Sequence, residues 1–302
     1  MMSQKYYSRN IAIIVTSIGE KYLNECINSV LKQSIKIGQV ILSLPKETVY
    51  QNRSKRVIIL RSKYKNQVYQ RSLAKKYIKK NIKIIIQLDC KILLSKNFLK
   101  NLINLWNNQS NKVIGIGFVP SNYNLPKVKF FQKIFLTNSS KIGKVLKSGY
   151  VSAWNKNVKN AKVEWLHGGC VSWKFDKCKD IFDRKYPLIN WCVAEDLIYS
   201  FNKNKKYDLI LSNKAKVKYI NKSFNKTNSS NNFNKGFLHA KVIKNFVLND
   251  KRLSLIFFYY SMLASSIIGI FISIIKFNNL SLAKYIGRLL GSFSKTFNYK
   301  IK

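Results

Sequence analysis

Carboxylates are scarce in this 302-residue chain: 12 Asp and Glu stand against 55 Lys and Arg, a formal net charge of +43. Two of the twelve are adjacent, Glu195 and Asp196, at the end of the stretch 191–196 (WCVAED). Directly after them Leu197, Ile198 and Phe201 recur at the spacing of one helix face, which predicts a helix that opens on the acidic pair. The N-terminal dipole of a helix favours an anion, so Asp196 in that position stays ionised and able to accept a proton, as a general base must. The same spacing fits a surface helix that opens on acids for the dipole alone.

Two further stretches carry candidate chemistry. Asp89 closes the apolar run 82–88 (IKIIIQL) and is followed by Cys90 and Lys91. Gly168 and Gly169 sit in 163–175 (VEWLHGGCVSWKF), where a glycine pair lets backbone come close to a ligand or a neighbouring strand, or simply makes a tight turn.

The elements that must position these residues are legible as alternating patterns. Residues 11–16 (IAIIVT) read as a buried strand, followed by the turn Ser17-Ile18-Gly19 and a helix face of Tyr22, Leu23, Cys26, Ile27, Val30 and Leu31. Strands follow at 39–44, 57–60, 82–88 and 113–119, with a helix carrying Leu73, Ala74, Tyr77 and Ile78 inward and another carrying Phe98, Leu99, Leu102, Ile103 and Trp106. Two more strands are expected near 207–212 and 215–220. This alternation predicts an α/β fold, a mainly parallel mixed sheet flanked by helices, with ligands bound beyond the carboxyl ends of its strands, where Asp89 lies. Residues 120–162, rich in Lys, Asn and Ser, are expected to run as a long excursion over that binding face.

Composition narrows the partners. The lysines are spread along the chain among Asn and Ile and form no dense arginine stripe, so a surface that adheres to anions, including acidic phospholipids and nucleotide phosphates, is expected, and no specific nucleic acid. A polyanion binder is the reading that charge alone would give. Five cysteines without a CxxC pair argue against a disulfide frame or a zinc site, and two histidines, His167 and His239, exclude a histidine-rich metal centre. The N-terminus (MMSQKYYSRN) has no apolar signal core, so the catalytic part is expected in the cytoplasm. The polar run 221–236 reads as a linker and is followed by a basic helix near 237–249. Residues 253–275 then form 23 positions without a charge, about 35 Å as a helix and long enough to cross a bilayer. Lys251 and Arg252 precede it and Lys276, Lys284 and Arg288 follow, so charge does not choose an orientation. The segment spans, dips and returns, lies in the interface, or packs as a core helix pair on the catalytic domain. The expected organisation is a catalytic domain over 1–222, linker and basic helix over 223–252, and membrane-associated helices over 253–302.

In their order these motifs resemble the family 2 glycosyltransferases, which have the glycosyltransferase A or nucleotide-diphospho-sugar transferase fold. The likeness runs from about Ile11 to Tyr219: IAIIVTSIGEKYLNECINSVLKQS, then QVYQRSLA leading to IIIQLDCKILLSKNFL, then VEWLHGGCVSWKF and AED. The resemblance implies transfer of a sugar from a nucleotide-diphosphate donor to an acceptor hydroxyl, with inversion at the anomeric carbon. It makes Asp196 the general base and Glu195 a residue that orients the acceptor or its loop. It places Asp89, the first acid of a DxD motif, near the donor ribose and diphosphate, with Arg71 on donor phosphate and Thr16, Ser17, Gly19 and Glu20 edging the nucleotide pocket. His167, Gly168 and Gly169 would line the donor sugar and acceptor side, with Trp165 and Trp191 as stacking walls.

Three positions depart from the family pattern. Lys91 replaces the second acid of DxD, the strand at 41–45 (ILSLP) lacks the acid of the uracil pocket, and Tyr219 stands where relatives carry a histidine near the metal. The family cofactor, Mg²⁺ or Mn²⁺ at Asp89, is therefore in question. If Asp89 and Lys91 lie on an extended segment they project to the same side, and Lys91 brings about the same +1 that a divalent ion and an aspartate would bring together. The expected partners are a nucleotide-diphosphate sugar, a glycan or lipid-linked acceptor and an anionic membrane surface, at the cytoplasmic face of the inner or plasma membrane. The rival is a catalytically inactive relative that serves as a scaffold.

Overall fold

The structure is a computed structural model, which describes residues 5–51, 54–122, 128–152, 154, 158–182, 194–220 and 229–295. Trp191, one of the expected stacking walls, lies outside the described residues. The chain forms two compact units, one from Met1–Asn124, Trp154–Cys192 and Tyr199–Asn221, the other from Leu125–Ala153, Val193–Ile198 and Lys222–Lys302.

The first unit is a mixed sheet with helices on its faces. Its elements are β1 (Ile11–Thr16), α1 (Leu23–Leu31), β2 (Gln39–Pro45), β3 (Val57–Ser62), α2 (Gln67–Lys75), β4 (Ile84–Asp89), β5 (Ile92–Leu94), α3 (Phe98–Asn107), β6 (Val113–Pro120), β7 (Ala161–Val163), β8 (Cys170–Lys174) and β9 (Asp208–Tyr219). The strand order is β3-β2-β1-β4-β8-β6-β9-β5, with β7 on β9. β1 to β4 are mutually parallel where they pair, and β8 enters antiparallel between β4 and β6. β1 and β2 are buried along their whole lengths because helices cover both faces, which is why they read as unbroken apolar runs. Ile11, Ile13 and Val15 of β1 pack with Cys26, Ile27 and Val30 of α1 and with Phe98, Leu102 and Trp106 of α3 in one core. The expected pair of strands over 207–220 is a single strand, β9. Its register with β6 slips between Phe118 and Pro120, so a bulge absorbs the polar break at Asn213 and Lys214 without ending the strand.

The second unit contains α4 (Phe130–Ile134), α6 (Ser229–Leu248), α7 (Leu255–Ile275) and α8 (Asn279–Phe293). α6 begins inside the polar run read as a linker. Between the two groups of elements in sequence, α5 (Glu195–Lys203) divides at Ile198, its first turn clustering with the second unit and the rest with the first. Among the described residues α7 is the one helix long and apolar enough to cross a membrane.

Candidate active site

Parallel pairing puts Thr16 opposite both Ser43 of β2 and Asp89 of β4, so the chain leaves three adjacent strands at one edge of the sheet. Beyond Thr16 the loop Ser17 to Glu20 folds back on itself. The Ser17 hydroxyl donates to Glu20 Oε2 and accepts from the Gly19 amide at 3.0 Å, and the Ile18 amide donates to Glu20 Oε2 at 3.0 Å. Gly19 takes φ +95°, a conformation that suits glycine. Burial pushes the Glu20 carboxyl pKa up, but hydrogen bonds from Ser17, from the Cys90 thiol and from the Glu20 and Ile18 amides outweigh it and hold the group below the usual carboxylate range.

Two buried polar residues on α2 anchor this edge from beneath. Asn66 caps the helix by accepting from the Tyr69 amide at 2.9 Å. Gln70 Nε2 donates to the Ser17 carbonyl at 2.9 Å, and Arg71 donates to the Gly168 carbonyl at 3.3 Å. From the other side, the Asp89 amide donates to the Gly169 carbonyl at 2.7 Å. The sheet edge thus ties together Thr16, Ser17, Gly19, Glu20, Arg71, Asp89, Gly168 and Gly169, eight residues that lie far apart in sequence.

Asp89 and Lys91 are not on an extended segment, contrary to the expectation. Residues 90 and 91 form a turn, in which the Lys91 amide donates to Asp89 Oδ1 at 3.0 Å and the Cys90 thiol lies 3.7 Å from the same oxygen. The physical reason is local: an Asp side chain readily caps the amide two residues on, and that competes with strand continuation. Burial, then the charges of Asp89 and Glu20, push the Cys90 thiol far up, so it remains a protonated donor to both carboxylates.

The side chains around Asp89 form no all-protein cage for a divalent ion among the described residues. Among the described residues no three of His, Cys, Asp and Glu converge, Glu20 is committed to its own loop, and the position two residues after Asp89 is a lysine. One carboxylate holds such an ion where a substrate's phosphates supply the other oxygens, so Asp89 fits a metal that arrives with a nucleotide-diphosphate donor.

His167, an exposed ring, accepts at Nδ1 from the Gly169 amide at 3.0 Å. Trp165 is buried, and Trp154 packs on it with ring centroids 4.8 Å apart. Trp154 also meets the His167 ring edge-on at 5.0 Å. The indole N–H groups of both tryptophans are buried without a partner. Trp154 is the more exposed ring of this pair. Leu166 of the same segment donates its amide to Ser200 Oγ of α5 at 3.0 Å. Glu195 and Asp196 occupy the first turn of that helix, as the spacing predicts, and Asp196 Oδ1 accepts from the Leu197 amide at 2.8 Å.

Sequence reasoning missed Gln70, Cys90 and Trp154. Gln70 had a usable signal, since a polar residue beside Arg71 falls on the buried side of α2 together with Val68 and Ala74. The other two had none.

No protein-family model matches the sequence, and no curated protein matches it. Solved structures do. A mannosyltransferase from Pyrobaculum calidifontis, PcManGT, solved in complex with GDP-Man and Mn²⁺, superposes with a TM-score of 0.55 at 9% identity, covering 94% of this chain and 86% of that one. S. aureus TarS, residues 1–349 in complex with UDP-GlcNAc, gives 0.52 at 15% identity, covering 87% and 72%. GalNAc-T7, with UDP, GalNAc and Mn²⁺, gives 0.50 at 11% identity, covering 71% of this chain and 43% of that one. At such identities the likeness is one of architecture. These matches show that the chain has the glycosyltransferase A fold.

Proposed function

We propose that the chain is an inverting glycosyltransferase. It moves a sugar from a nucleotide-diphosphate donor to a hydroxyl of a lipid-linked or surface-polysaccharide precursor, at the cytoplasmic face of the inner or plasma membrane. The observation that carries the reading is the hydrogen-bonded set Gln70, Ser17, Glu20, Cys90 and Asp89 at the carboxyl edge of the parallel strands, within this fold. Ligands of open α/β sheets bind at such edges.

In this mechanism the nucleotide lies along Thr16, Ser17, Gly19 and Glu20, Asp89 faces the ribose and diphosphate, and Arg71 and Lys91 face the phosphates. Asp196 accepts the acceptor's hydroxyl proton as that oxygen bonds to the anomeric carbon. On the opposite side of the carbon the bond to the diphosphate oxygen breaks, and the nucleoside diphosphate leaves with the bonding pair. Lys91, which stands where the second acid of DxD would be, supplies about one positive charge to the leaving group. Glu195 orients the acceptor, and His167, Gly168, Gly169 and Trp154 packed on Trp165, with Trp191, line the sugar. The second unit tethers the enzyme to an anionic membrane that carries the acceptor.

The test is a thermal-shift screen of the full chain against nucleoside diphosphates and nucleotide sugars, with EDTA or with added Mn²⁺ or Mg²⁺, followed by transfer assays. A donor should raise the melting temperature in EDTA, and Asp196→Asn should keep that shift while transfer falls about 10²- to 10⁴-fold. Binding and transfer that appear only with added metal would overturn the Lys91 assignment. Absence of any nucleotide binding would favour the scaffold reading.

A further inference from the structure

α7 wears its chemistry inside out. At 100° per residue, Ile256, Tyr260, Ile267, Phe271, Ile274 and Ile275 fall in one stripe about 100° wide, and all six are exposed, Ile256 at 80%, Ile267 at 58% and Phe271 at 65%. The buried side holds Phe258 and Met262 near its start but otherwise Ser261, Ser266 and Ser273, with Gly269 closed against the Tyr285 ring. In water a helix turns isoleucine and phenylalanine inward and serine outward. The reverse is the stable order where the surroundings are apolar and helices meet through small residues. The buried serines are consistent with that setting: Ser273 Oγ returns to the Gly269 carbonyl of its own helix at 2.6 Å. α6 and α8 also meet through glycine, since a Cβ on Gly287 would lie 2.2 Å from the Phe233 carbonyl oxygen.

The charges of the same unit decide how deep α7 can go. Arg288 of α8 donates to Ser265 Oγ at 3.4 Å, and Ser265 is the midpoint of α7, about 15 Å from either end. A crossing α7 would hold this guanidinium at the bilayer centre, with no acidic partner among the described residues, and Lys284 one turn away. α6, closed onto α8 at Gly236, Gly287 and Gly291, would bring Lys235, Lys241 and Lys244 after it. Each of these opposes insertion. The first turns of α7 and the short helix α4 instead carry the composition of a headgroup layer: Phe130 and Phe131 of α4 and Phe257 and Tyr260 of α7 are exposed, Phe135 packs on Tyr260 at 6.2 Å, and Lys147 Nζ stands 5.8 Å over the Phe257 ring. Lys251 before the helix and Lys276 after it complement anionic lipid at both ends, while Arg252 is held by Asp250.

We propose that the second unit docks on an anionic phospholipid bilayer from one side, with α7 lying in the interface plane, its Ile–Phe stripe in the upper acyl chains, and with no crossing of the membrane. This rests on the membrane attachment in the proposed function and is independent of the transfer chemistry.

The test uses the full chain with Cys192→Ser and single cysteines at Ile256, Ile267 or Ile275, each carrying an environment-sensitive fluorophore. The other four cysteines are buried. Depth is read with spin-labelled lipids in phosphatidylcholine vesicles with and without phosphatidylglycerol. The expected result is one shallow depth at all three sites, with tighter binding when phosphatidylglycerol is present. The pair Ile267→Asp and Phe271→Asp should lower vesicle partition about a hundredfold while leaving far-UV circular dichroism unchanged, because both positions are exposed. Ile267 at the bilayer centre with Ile256 and Ile275 at opposite surfaces would overturn the in-plane placement and leave attachment standing. Failure of the unsubstituted chain to bind either vesicle would overturn attachment itself, as would a lipid-free dimer in which Ile267 is protected.

Discussion

Ser17→Ala offers a direct probe of the loop that edges the proposed nucleotide pocket. The hydroxyl is buried, donates to the Glu20 carboxylate and accepts from the Gly19 amide. A hydrogen bond to a charged acceptor contributes about 1.5–3 kcal/mol, whereas the exposed Gly19 amide regains water on mutation and adds little. The expected loss is about 2 kcal/mol, or about 4–8 °C in melting temperature for a unit of this size. Urea unfolding followed by tryptophan fluorescence isolates the first unit, because Trp106, Trp154, Trp165 and Trp173 all belong to it. The sign of the pH dependence follows from the depressed Glu20 pKa. Its contribution is present above the unfolded value of about 4.3 and is lost as pH falls through the lower folded value. The gap between wild type and Ser17→Ala should therefore be full at neutral pH and close below about pH 4. Glu20→Gln should erase most of the same gap, so the two substitutions combined should cost less than their sum. Equal stability of Ser17→Ala and wild type at neutral pH, or a gap that widens in acid, would refute the reasoning.

Gly115→Ala should destabilise the first unit by more than about 2 kcal/mol, since the added methyl would lie 2.5 Å from the Trp173 ring and 2.9 Å from Leu166, both fixed in the core; a denaturation midpoint within error of wild type would sink this. His239 should make the second unit acid-sensitive. Burial, then the nearby Lys284 ammonium, pushes its pKa down to about 4. The unfolded chain therefore takes up the proton first, and stability falls as pH drops from about 6.5 toward the folded value, by at most about 3 kcal/mol. His239→Phe should flatten this slope in circular-dichroism melts compared across that range.

The sheet was legible in the sequence because β1, β2 and β4 are buried on both faces and so write themselves as apolar runs, with α1 announcing its inward face through Cys26, Ile27 and Val30. Asp89 and the Ser17 to Glu20 loop followed from strand ends. The partners that fix them did not. Gln70 and Cys90 act through hydrogen bonds to residues 53 and 70 positions away, and such contacts leave no periodic mark. Trp154 lies in a stretch without pattern and acquires its role only when Trp165 packs on it. The Asp89 turn was misread because a strand and a side-chain-capped turn share the same short sequence. Averaged over its length, 253–275 reads only as uncharged; the placing of its serines against its isoleucines depends on which side Tyr285 covers.

The second unit is not a tail. Ser254 donates its amide to the Lys147 carbonyl, Ser148 and Ser261 both donate to the carbonyl of Leu136, and the Tyr150 ring lies under the Arg288 guanidinium. Residues 128–152 thus pack on helices translated about a hundred residues later. On the ribosome this stretch must wait, uncovered, until the last helix has emerged, a window in which Phe130, Phe131 and Phe135 invite premature association. No single cut can liberate the sheet, and a shortened protein meant for crystallisation would have to lose the inserted middle segment together with the C-terminal helices.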